Sequence, residues 1–286
     1  MSLDLPIQLH VEVFSSDDTD APPLSDAGGA GEVKTLLKAC LSTGYGTKAP
    51  ATGWSMPYED GDKAVFKSTD LRATGFCMRL DNNATKAGNV TCYEAMSDID
   101  TGTNQWFSSD MGFYYNTASN PVSWKLFATP VAFLLVTEST YNTSVYGTPF
   151  WFGDMMSFAT NDIANCALWG VQKWSNQAYT NHQGLMNPPK KCVAGDGLGN
   201  VNSYTPNVKT IATAATSGFH NGHLGHPVYF DKGNKRHLVS PILVSEKRER
   251  VAGHEEILQG RPYWVATVGI ANSGNVHFIP TDYWLL

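Results

Sequence analysis

Charged residues are scarce in this chain of 286 residues, where Asp, Glu, Lys and Arg together make up 16%. A soluble protein usually carries about 25%. Apolar residues reach 42%, and glycine is frequent, with 26 residues. So little charge indicates that neighbouring molecules cover part of the surface, because charge depletion marks the core of interfaces. An uncharged polar surface on a free monomer is the alternative, and both stay open at the level of the sequence.

Positive clusters and long apolar runs are also missing. The net charge is −6, and carboxylates interrupt the densest basic segment, EKRER at Glu246–Arg250. Nucleic-acid binding needs a sustained positive stripe, so we expect no nucleic-acid partner. The longest fully apolar run, Val131–Val136, is far shorter than the roughly 20 residues of a membrane span. The first residues lack the positive start and apolar block of a signal peptide, which predicts a soluble protein made in the cytoplasm.

Five cysteines occur, and none forms the CxxC pair typical of zinc knuckles and thioredoxin-like motifs. Cys77 and Cys92 lie in two strand-like runs around the turn-rich segment NNATKAGN. A hairpin centred near Ala84 and Thr85 would place them opposite each other, so a cross-strand disulfide is one option. Two reduced, buried thiols are the other option, and they are the expected state in a protein made in the cytoplasm.

Motifs of catalysis are absent from the sequence. It has no GxSxG element and no Ser, His and Asp set that stands out from chance. GDGLGN at Gly195–Asn200 resembles a dinucleotide-binding glycine loop, but no strong strand is predicted before it and no helix after it. We therefore expect no enzyme activity, no catalytic residues and no cofactor.

A histidine cluster is the sharpest candidate for a metal site. His220, His223 and His226 in FHNGHLGHP offer imidazole nitrogens that could bind a metal ion. The glycines and the proline among them favour a loop, where regular spacing does not make side chains converge. We expect packing or hydrogen bonding at an interface, with metal binding as the alternative.

Alternating carboxylates in SDIDTGT are a second candidate. Asp98 and Asp100 are spaced like ligands in a Ca²⁺ loop, but the further ligands and the terminal glutamate are missing. They are expected to cap a turn at Thr101–Gly102 through their side-chain oxygens. No metal site is predicted in the chain.

The apolar patterns predict a mainly β (α+β) fold, with antiparallel sheets in a sandwich or barrel arrangement and long loops. A first, half-buried strand is expected over Ile7–Phe14, with Ile7, Leu9, Val11 and Val13 on one face. One N-terminal amphipathic helix is expected over Glu32–Leu41, because apolar residues recur there at i, i+3, i+4 and i+7 from Val33. Further strands are predicted at Ala64–Ser68, Gly75–Asp81, Val90–Met96, Gly112–Tyr115, Ser123–Ala128, Val131–Thr137, Phe150–Phe158, Cys166–Lys173, Val228–Phe230, His237–Val244, Arg261–Ala271 and Asn275–Ile279.

The expected organisation is a strand-helix-hairpin unit over residues 1–110 and a β-rich remainder over residues 111–286, joined in one compact unit. Val131–Thr137 is apolar on both faces and is expected to be a central strand. Tyr179–Gly218 is polar and without period, so it is predicted to be a long loop that packs on itself or on a neighbour. The apolar end DYWLL is expected to be tucked into a core or a neighbour.

Aromatic residues are abundant, with eight tryptophans and twelve tyrosines. Most of these rings are expected to anchor the core or an interface. Exposed rings beside Asn and Asp could instead stack on sugars. A glycan- or receptor-recognition module of a phage fibre, spike or decoration protein, with a host surface glycan as partner, is therefore the alternative function.

Several segments resemble a family of virion-associated structural proteins of tailed bacteriophages. The resemblance is carried by LSDAGGAGEVKTLLKACLSTGYGTK, GWSMPYEDGDKAVFKS, GFCMRLDNN and YEAMSDIDTGT, and it continues more weakly in FWFGDMMSF and RPYWVATV. Such proteins have a short N-terminal strand, a leucine-rich helix ending in a G-Y/F-G turn, a G-W segment, a strand ending in R-x-D and a D-x-D-T-G element. Residues 175–260 depart from this pattern.

This resemblance implies a part of the phage particle, present in many copies at the neck, tail or capsid surface. It brings no catalytic residues. The expected partners are other copies of the chain and other virion proteins, and the expected location is the virion, after assembly in the host cytoplasm. The leading hypothesis is therefore a virion structural protein that self-associates and docks onto other particle proteins.

Overall fold

A computed structural model describes most of the chain. The fold is mainly β, with 62% of residues in strands and 7% helical, which confirms the predicted class. The described residues are 6–25, 29–114, 121–141, 144–157, 165–174, 177–178, 190–195, 201–204, 207–210, 226–231, 237–245, 253–270 and 275–286.

The strands follow one another along the chain with a single α-helix among the described residues. Helix α1 spans Glu32–Lys38 and continues as a π-helical turn over Ala39–Thr43. The strands are β1 Gln8–His10, β2 Glu12–Ser15, β3 Leu24–Ser25, β4 Trp54–Asp60, β5 Lys63–Ser68, β6 Cys77–Asp81, β7 Ala87–Asp98, β8 Thr101–Gly112, β9 Pro121–Ala128, β10 Ala132–Tyr141, β11 Ser144–Asp154, β12 Met156–Ser157, β13 Cys166–Trp169, β14 Val171–Trp174, β15 Gln177–Ala178, β16 Lys190–Gly195, β17 Val201–Tyr204, β18 Asn207–Thr210, β19 His226–Asp231, β20 His237–Ser245, β21 His254–Leu258, β22 Arg261–Ile270, β23 Asn275–Pro280 and β24 Tyr283–Leu285.

Helix α1 forms where the sequence predicts it. All of the apolar positions of the predicted face are fully buried, from Val33 to Cys40. The helical segment runs slightly past the predicted end at Leu41 because its last turn is π-helical. Gly44, with φ of 75°, then ends it in a conformation that other residues rarely adopt.

The described strand pairs form three sheets. The seven-stranded sheet has the order β15-β14-β8-β7-β6-β5-β4. The large sheet has 15 strands, and its main path has the order β17-β16-β13-β11-β22-β23-β20-β19-β18. A branch leaves this path at β11 and runs through β10 to β9, which pairs with both β2 and β3. Strands β1 and β24 make a separate two-stranded sheet, here called the terminal ribbon, in which Leu9 lies opposite Trp284.

Strand β10 lies between two hydrophobic cores. Phe133 and Leu135 contribute to a first core with helix α1 and strands β4 to β8. Leu134 and Val136 contribute to a second core with the terminal ribbon and residues of β20, β22 and β23. Strands β9 and β11 pair with β10 on its two sides, so the predicted central strand is confirmed. The large sheet is thus covered on both faces, and the first core draws residues from both sides of position 110.

Three strand predictions between residues 100 and 175 are wrong in their boundaries. The predicted strand Phe150–Phe158 starts earlier, as β11 at Ser144, and breaks at Met155, after which β12 pairs with β20. Instead of a strand at Gly112–Tyr115, the structure has β8 at Thr101–Gly112, whose exposed, polar first residues give no alternating apolar signal. The predicted strand Cys166–Lys173 breaks at Gly170, where the chain leaves the large sheet and joins the seven-stranded sheet. A Cβ atom at Gly170 would lie 2.6 Å from Cε of Met111, so a side chain there would force a rearrangement.

The N-terminal strand is divided in two. β1 pairs with β24, whereas β2 pairs with β9, so the chain changes partner near Val11. Leu9 and Val11 face the second core as the alternation predicts. Ile7 is exposed and Phe14 is buried in the first core, contrary to the single face that was expected.

The prediction of a long loop over Tyr179–Gly218 is wrong in part, because β16, β17 and β18 lie inside it. β16 adds to the large sheet through β13, and β17 follows it in a hairpin. Backbone pairing with an existing sheet edge satisfies N–H and C=O groups even where the side chains show no period. The rest of this segment lies outside the described residues.

The strands predicted after position 225 are confirmed as parts of β19, β20, β22 and β23, except that Ala271 at the end of the third one lies outside the described residues. The expectation that the apolar chain end is buried is confirmed for Trp284 but not for Leu285, which is exposed. Trp284 is almost fully enclosed and stacks on Trp151, with ring centroids 5.0 Å apart. No helix among the described residues is long and apolar enough to cross a membrane.

Candidate functional site

A cleft of about 170 Å³ opens at the edge of the second core. Trp264 of β22 forms one wall of it, beside strands β9 and β10. We call it the Trp264 cleft. Its lining consists of Ser16, Asp17, Ser123, Trp124, Lys125, Val136, Glu138, Gly253 and Trp264.

Strand register places the polar floor of the cleft. Ser123 lies opposite Glu138, and Lys125 lies opposite Val136. Paired residues of an antiparallel ladder point to the same face, and that face alternates along each strand. Phe127 lies on the same face of β9 as Ser123 and Lys125 and is part of the second core. The floor of the cleft is therefore the polar continuation of the sheet face that packs in this core.

Lys125 is the central cation of the cleft. Its Nζ donates a hydrogen bond to Oγ of Ser15 at 3.0 Å and lies 4.2 Å from the ring centroid of Trp264. The carboxylate of Asp17 is an ion-pair partner of Nζ, at 3.8 Å. The Lys125 side chain is 19% exposed, whereas that of Asp17 is 84% exposed. A hydroxyl, an aromatic face and a carboxylate therefore hold a half-buried ammonium group at a fixed position.

The hydroxyl groups in the cleft are engaged in structural hydrogen bonds. Oγ of Ser123 donates to the backbone carbonyl of Glu138 at 3.2 Å. Oγ of Ser16 accepts the backbone N–H of Trp124 at 3.1 Å. Neither serine is hydrogen-bonded to a histidine or a carboxylate in the described part of the chain, the arrangement that activates a nucleophile. The chemistry that this lining offers is recognition through an ammonium group, carboxylates and an indole ring.

The carboxylates of SDIDTGT hold a hairpin turn. The turn lies at residues 99–100 and not at Thr101–Gly102 as predicted, since β8 already begins at Thr101. Oδ1 of Asp98 accepts the backbone N–H of Ile99 at 2.6 Å and so caps this turn. Asp100 is not a cap. It pairs with Lys63 at 2.8 Å and with Arg79, and the hydrogen bonds from these two cations lower the pKa of Asp100.

The histidine cluster, for which metal binding was the alternative, lies largely outside the described residues. His220 and His223 are not among the described residues, and His226 begins β19, where only the backbone is described. Within the described ranges, no group of three or more His, Cys, Asp or Glu side chains could hold a metal ion. At GDGLGN, strand β16 ends at Gly195, so a strand does precede this segment, contrary to the expectation. Residues 196–200 lie outside the described residues.

The cross-strand disulfide is contradicted by the register of the β6–β7 hairpin. Cys77 lies opposite Tyr93, and Met78 lies opposite Cys92, so the hairpin is centred on Thr85. This shift by one residue sends the two sulfurs to opposite faces of the sheet. Both cysteines are free and buried. Burial raises the pKa of both thiols, which keeps them protonated and unreactive.

Most tryptophans are core residues, as predicted. Trp264 is the exception among the described indole rings, because it is only partly buried where it packs against the second core. A platform of several exposed tryptophans, which the glycan-recognition alternative assumed, is therefore not present in the described part of the chain. The buried tryptophans are Trp54, Trp106, Trp124, Trp151, Trp169 and Trp284.

The sequence did not single out the residues of the Trp264 cleft. Lys125 carried one usable signal, since the alternation in the predicted strand Ser123–Ala128 places a lysine on an inward face. An inward cation needs a partner, and it therefore marks a polar site. Asp17 gave no such signal, because it lies in a polar loop whose place against β9 depends on the tertiary fold.

Comparison with known proteins adds no family assignment. No protein-family model matches this chain, and no curated protein matches it. The resemblance to phage virion proteins therefore rests on the sequence segments quoted above.

Proposed function

We propose that this chain is a non-catalytic structural protein of a tailed-bacteriophage particle, which self-associates and docks onto other proteins of the neck, tail or capsid surface. The resemblance of its N-terminal segments to virion-associated proteins supports the particle as its location. Its low content of charged residues supports a surface that is partly covered by neighbours.

The observation that carries the docking role is a pair of exposed apolar side chains at one end of the terminal ribbon, Leu285 in β24 and Ile7 directly before β1. Ile7 is 47% exposed and Leu285 is 37% exposed. Among the described residues, the other exposed large apolar side chains are those of Leu71 and Ile257, one in a turn and one in β21. Ile7 exchanges backbone hydrogen bonds with Leu286, whereas Leu285 lies opposite Gln8, so the two exposed side chains lie at the same end of the ribbon on its two faces. Each of them gains free energy when a neighbour covers it.

The use of charged groups supports a rigid, non-catalytic body. Glu59 accepts hydrogen bonds from both Lys34 and Lys38, and so ties helix α1 to β4. Asp18 accepts hydrogen bonds from Tyr45 at 2.5 Å and Lys48 at 2.6 Å, and so ties the loop after β2 to the turn after the helix. These carboxylates join separate elements of the fold, which is what a building part requires.

Sedimentation of the purified full-length chain tests self-association and the ribbon together. The wild-type chain is expected to form oligomers, and the double variant Ile7→Asp/Leu285→Asp is expected to sediment as a monomer, because two buried carboxylates without partners oppose the contact. Leu71→Asp is the matched control, since it adds the same charge at another exposed leucine and should leave the oligomer intact. Far-ultraviolet circular dichroism checks that each variant is folded.

Two results would contradict the proposal. One is a wild-type chain that stays monomeric at every concentration. The other is a folded double variant that associates as strongly as the wild type, which would place the contact elsewhere.

A further inference from the structure

We propose that the Trp264 cleft binds a single neutral sugar residue of a glycan, with Trp264 as its apolar wall and Lys125 and Asp17 as its hydroxyl partners. This inference goes beyond the structural role proposed above and does not depend on it. A protein can be a building part of a particle and still carry a recognition site on its surface.

The size of the cleft favours one small ring. Its volume of about 170 Å³ is below the roughly 300–1,000 Å³ of sites for drug-sized ligands. Val136 and the partly buried indole of Trp264 give it an apolar side. Because Nζ of Lys125 lies over the indole ring, a pyranose would place its apolar C–H face on Val136 and on the part of the indole that lines the cleft beside the ammonium group. Its hydroxyl groups would then point outward around the ring.

The distance between Lys125 and Asp17 suits two neighbouring hydroxyl groups of a sugar. Nζ of Lys125 can only donate, and the ionised carboxylate of Asp17 can only accept, and the two groups lie 3.8 Å apart. A hydroxyl group both donates and accepts. Two adjacent sugar hydroxyls can therefore engage the pair, one accepting from the ammonium group and the other donating to the carboxylate.

The cation is already in place before a ligand arrives. Ser15 holds Nζ of Lys125 at 3.0 Å, and the ring of Trp264 lies beneath it at 4.2 Å. A donor held in this way loses little conformational entropy when it binds, so even a small ligand gains from it.

Charge in the cleft selects against ionic ligands. Asp17 and Glu138 both line it, so a phosphate, a sulfate or an acidic sugar would meet two carboxylates. A simple cation would meet the ammonium group of Lys125 in the same space. A neutral polyhydroxylated ring meets neither repulsion.

Saturation-transfer NMR on the full-length chain tests the site with four probes: glucose, galactose, mannose and N-acetylglucosamine. At least one is expected to show transfer to its ring C–H protons. Asp17→Ala should weaken binding of that sugar about tenfold, which matches the loss of one hydrogen bond to a charged group. Asp17 is 84% exposed, so this variant should fold normally. Asp60→Ala is the matched control, since it removes an exposed carboxylate in the β4–β5 hairpin and should leave binding unchanged.

The role of the ring has its own pair of variants. Trp264→Phe keeps an aromatic wall and should retain most of the binding, whereas Trp264→Ala should abolish it. If Trp264→Ala fails to fold, the Asp17→Ala result decides alone. No transfer to any of the four sugars would overturn the proposal, and so would binding that Asp17→Ala leaves unchanged. These outcomes are independent of the oligomeric state, so a failed sugar site and a failed structural role can be told apart.

Discussion

Oδ1 of Asn82 accepts the backbone N–H of Val33 at 2.9 Å, and so caps helix α1 from the turn between β6 and β7. The same oxygen accepts the N–H of Lys34 at 3.1 Å. Nδ2 of Asn82 donates to the carbonyl oxygens of Ala84 and Ala87. Because the residue before the helix is a glycine without a side-chain cap, this buried amide satisfies the helix terminus and joins the helix to the hairpin.

Replacing Asn82 by alanine should therefore cost about 3 kcal/mol of unfolding free energy, since it leaves buried N–H and C=O groups without partners. Asn82→Asp should cost less, because a carboxylate still accepts at the helix N-terminus although it can no longer donate to the two carbonyls. Urea denaturation followed by circular dichroism measures both values. Asn83→Ala, a change at the exposed neighbour, is the control and should stay within about 0.5 kcal/mol of the wild type. A similarly small loss for Asn82→Ala would show that water or other groups supply the cap.

His277 predicts a pH dependence of stability. It lies opposite Ala266, on the face of β23 that points to the second core, and its Nε2 has no hydrogen-bond partner among the described residues. Burial lowers the pKa of His277 from 6.5 to about 3. Between these values the unfolded chain binds a proton that the folded chain does not. The stability is therefore fully present above pH 6.5 and falls, as pH decreases through this window, by up to about 1.4 kcal/mol per pH unit.

Comparison with His277→Gln isolates this effect, because carboxylates elsewhere also contribute to acid unfolding. Urea denaturation at neutral pH and near pH 4.5, between the two pKa values, should show a steeper loss for the wild type than for the variant. Equal losses in the two proteins would mean that His277 is protonated in the folded state.

The register of β6 and β7 predicts which thiols can be joined. Because Met78 lies opposite Cys92, Met78→Cys in a Cys77→Ser background should form a disulfide under mild oxidation. The wild-type chain should not form one between Cys77 and Cys92, whose side chains point to opposite faces. Mass spectrometry of peptides, digested with and without reductant, identifies the bond. A Cys77–Cys92 bond in the folded wild type would show that the register is shifted by one residue.

The sequence correctly predicted those features that depend only on the spacing of neighbouring residues. The face of helix α1 follows from the period of its apolar residues, and the central position of β10 follows from its apolar residues on both faces. The register of the β6–β7 hairpin cannot be predicted from spacing in this way. A turn centred between Ala84 and Thr85 would place Cys77 opposite Cys92, whereas the observed turn, centred on Thr85, places Met78 there. Both turns fit the polar segment equally well.

Contacts between distant segments could not be predicted from one sequence. Asn82 caps a helix that begins about 50 residues earlier in the chain, and nothing in the helix sequence points to it. The Trp264 cleft likewise combines the loop after β2, the strands β9 and β10, and β22. Only the folded sheets bring Asp17, Lys125 and Trp264 together, so the sequence could mark at most the inward lysine.

Mass spectrometry of purified phage particles tests the central claim most directly. Particles of the phage that carries this gene would be purified by density gradient, and their proteins would be quantified against known multi-copy components. The chain is expected in the particles, in an amount comparable to other proteins of the neck, tail or capsid surface. Its presence in lysates of infected cells together with its absence from the purified particles would contradict a structural role in the virion.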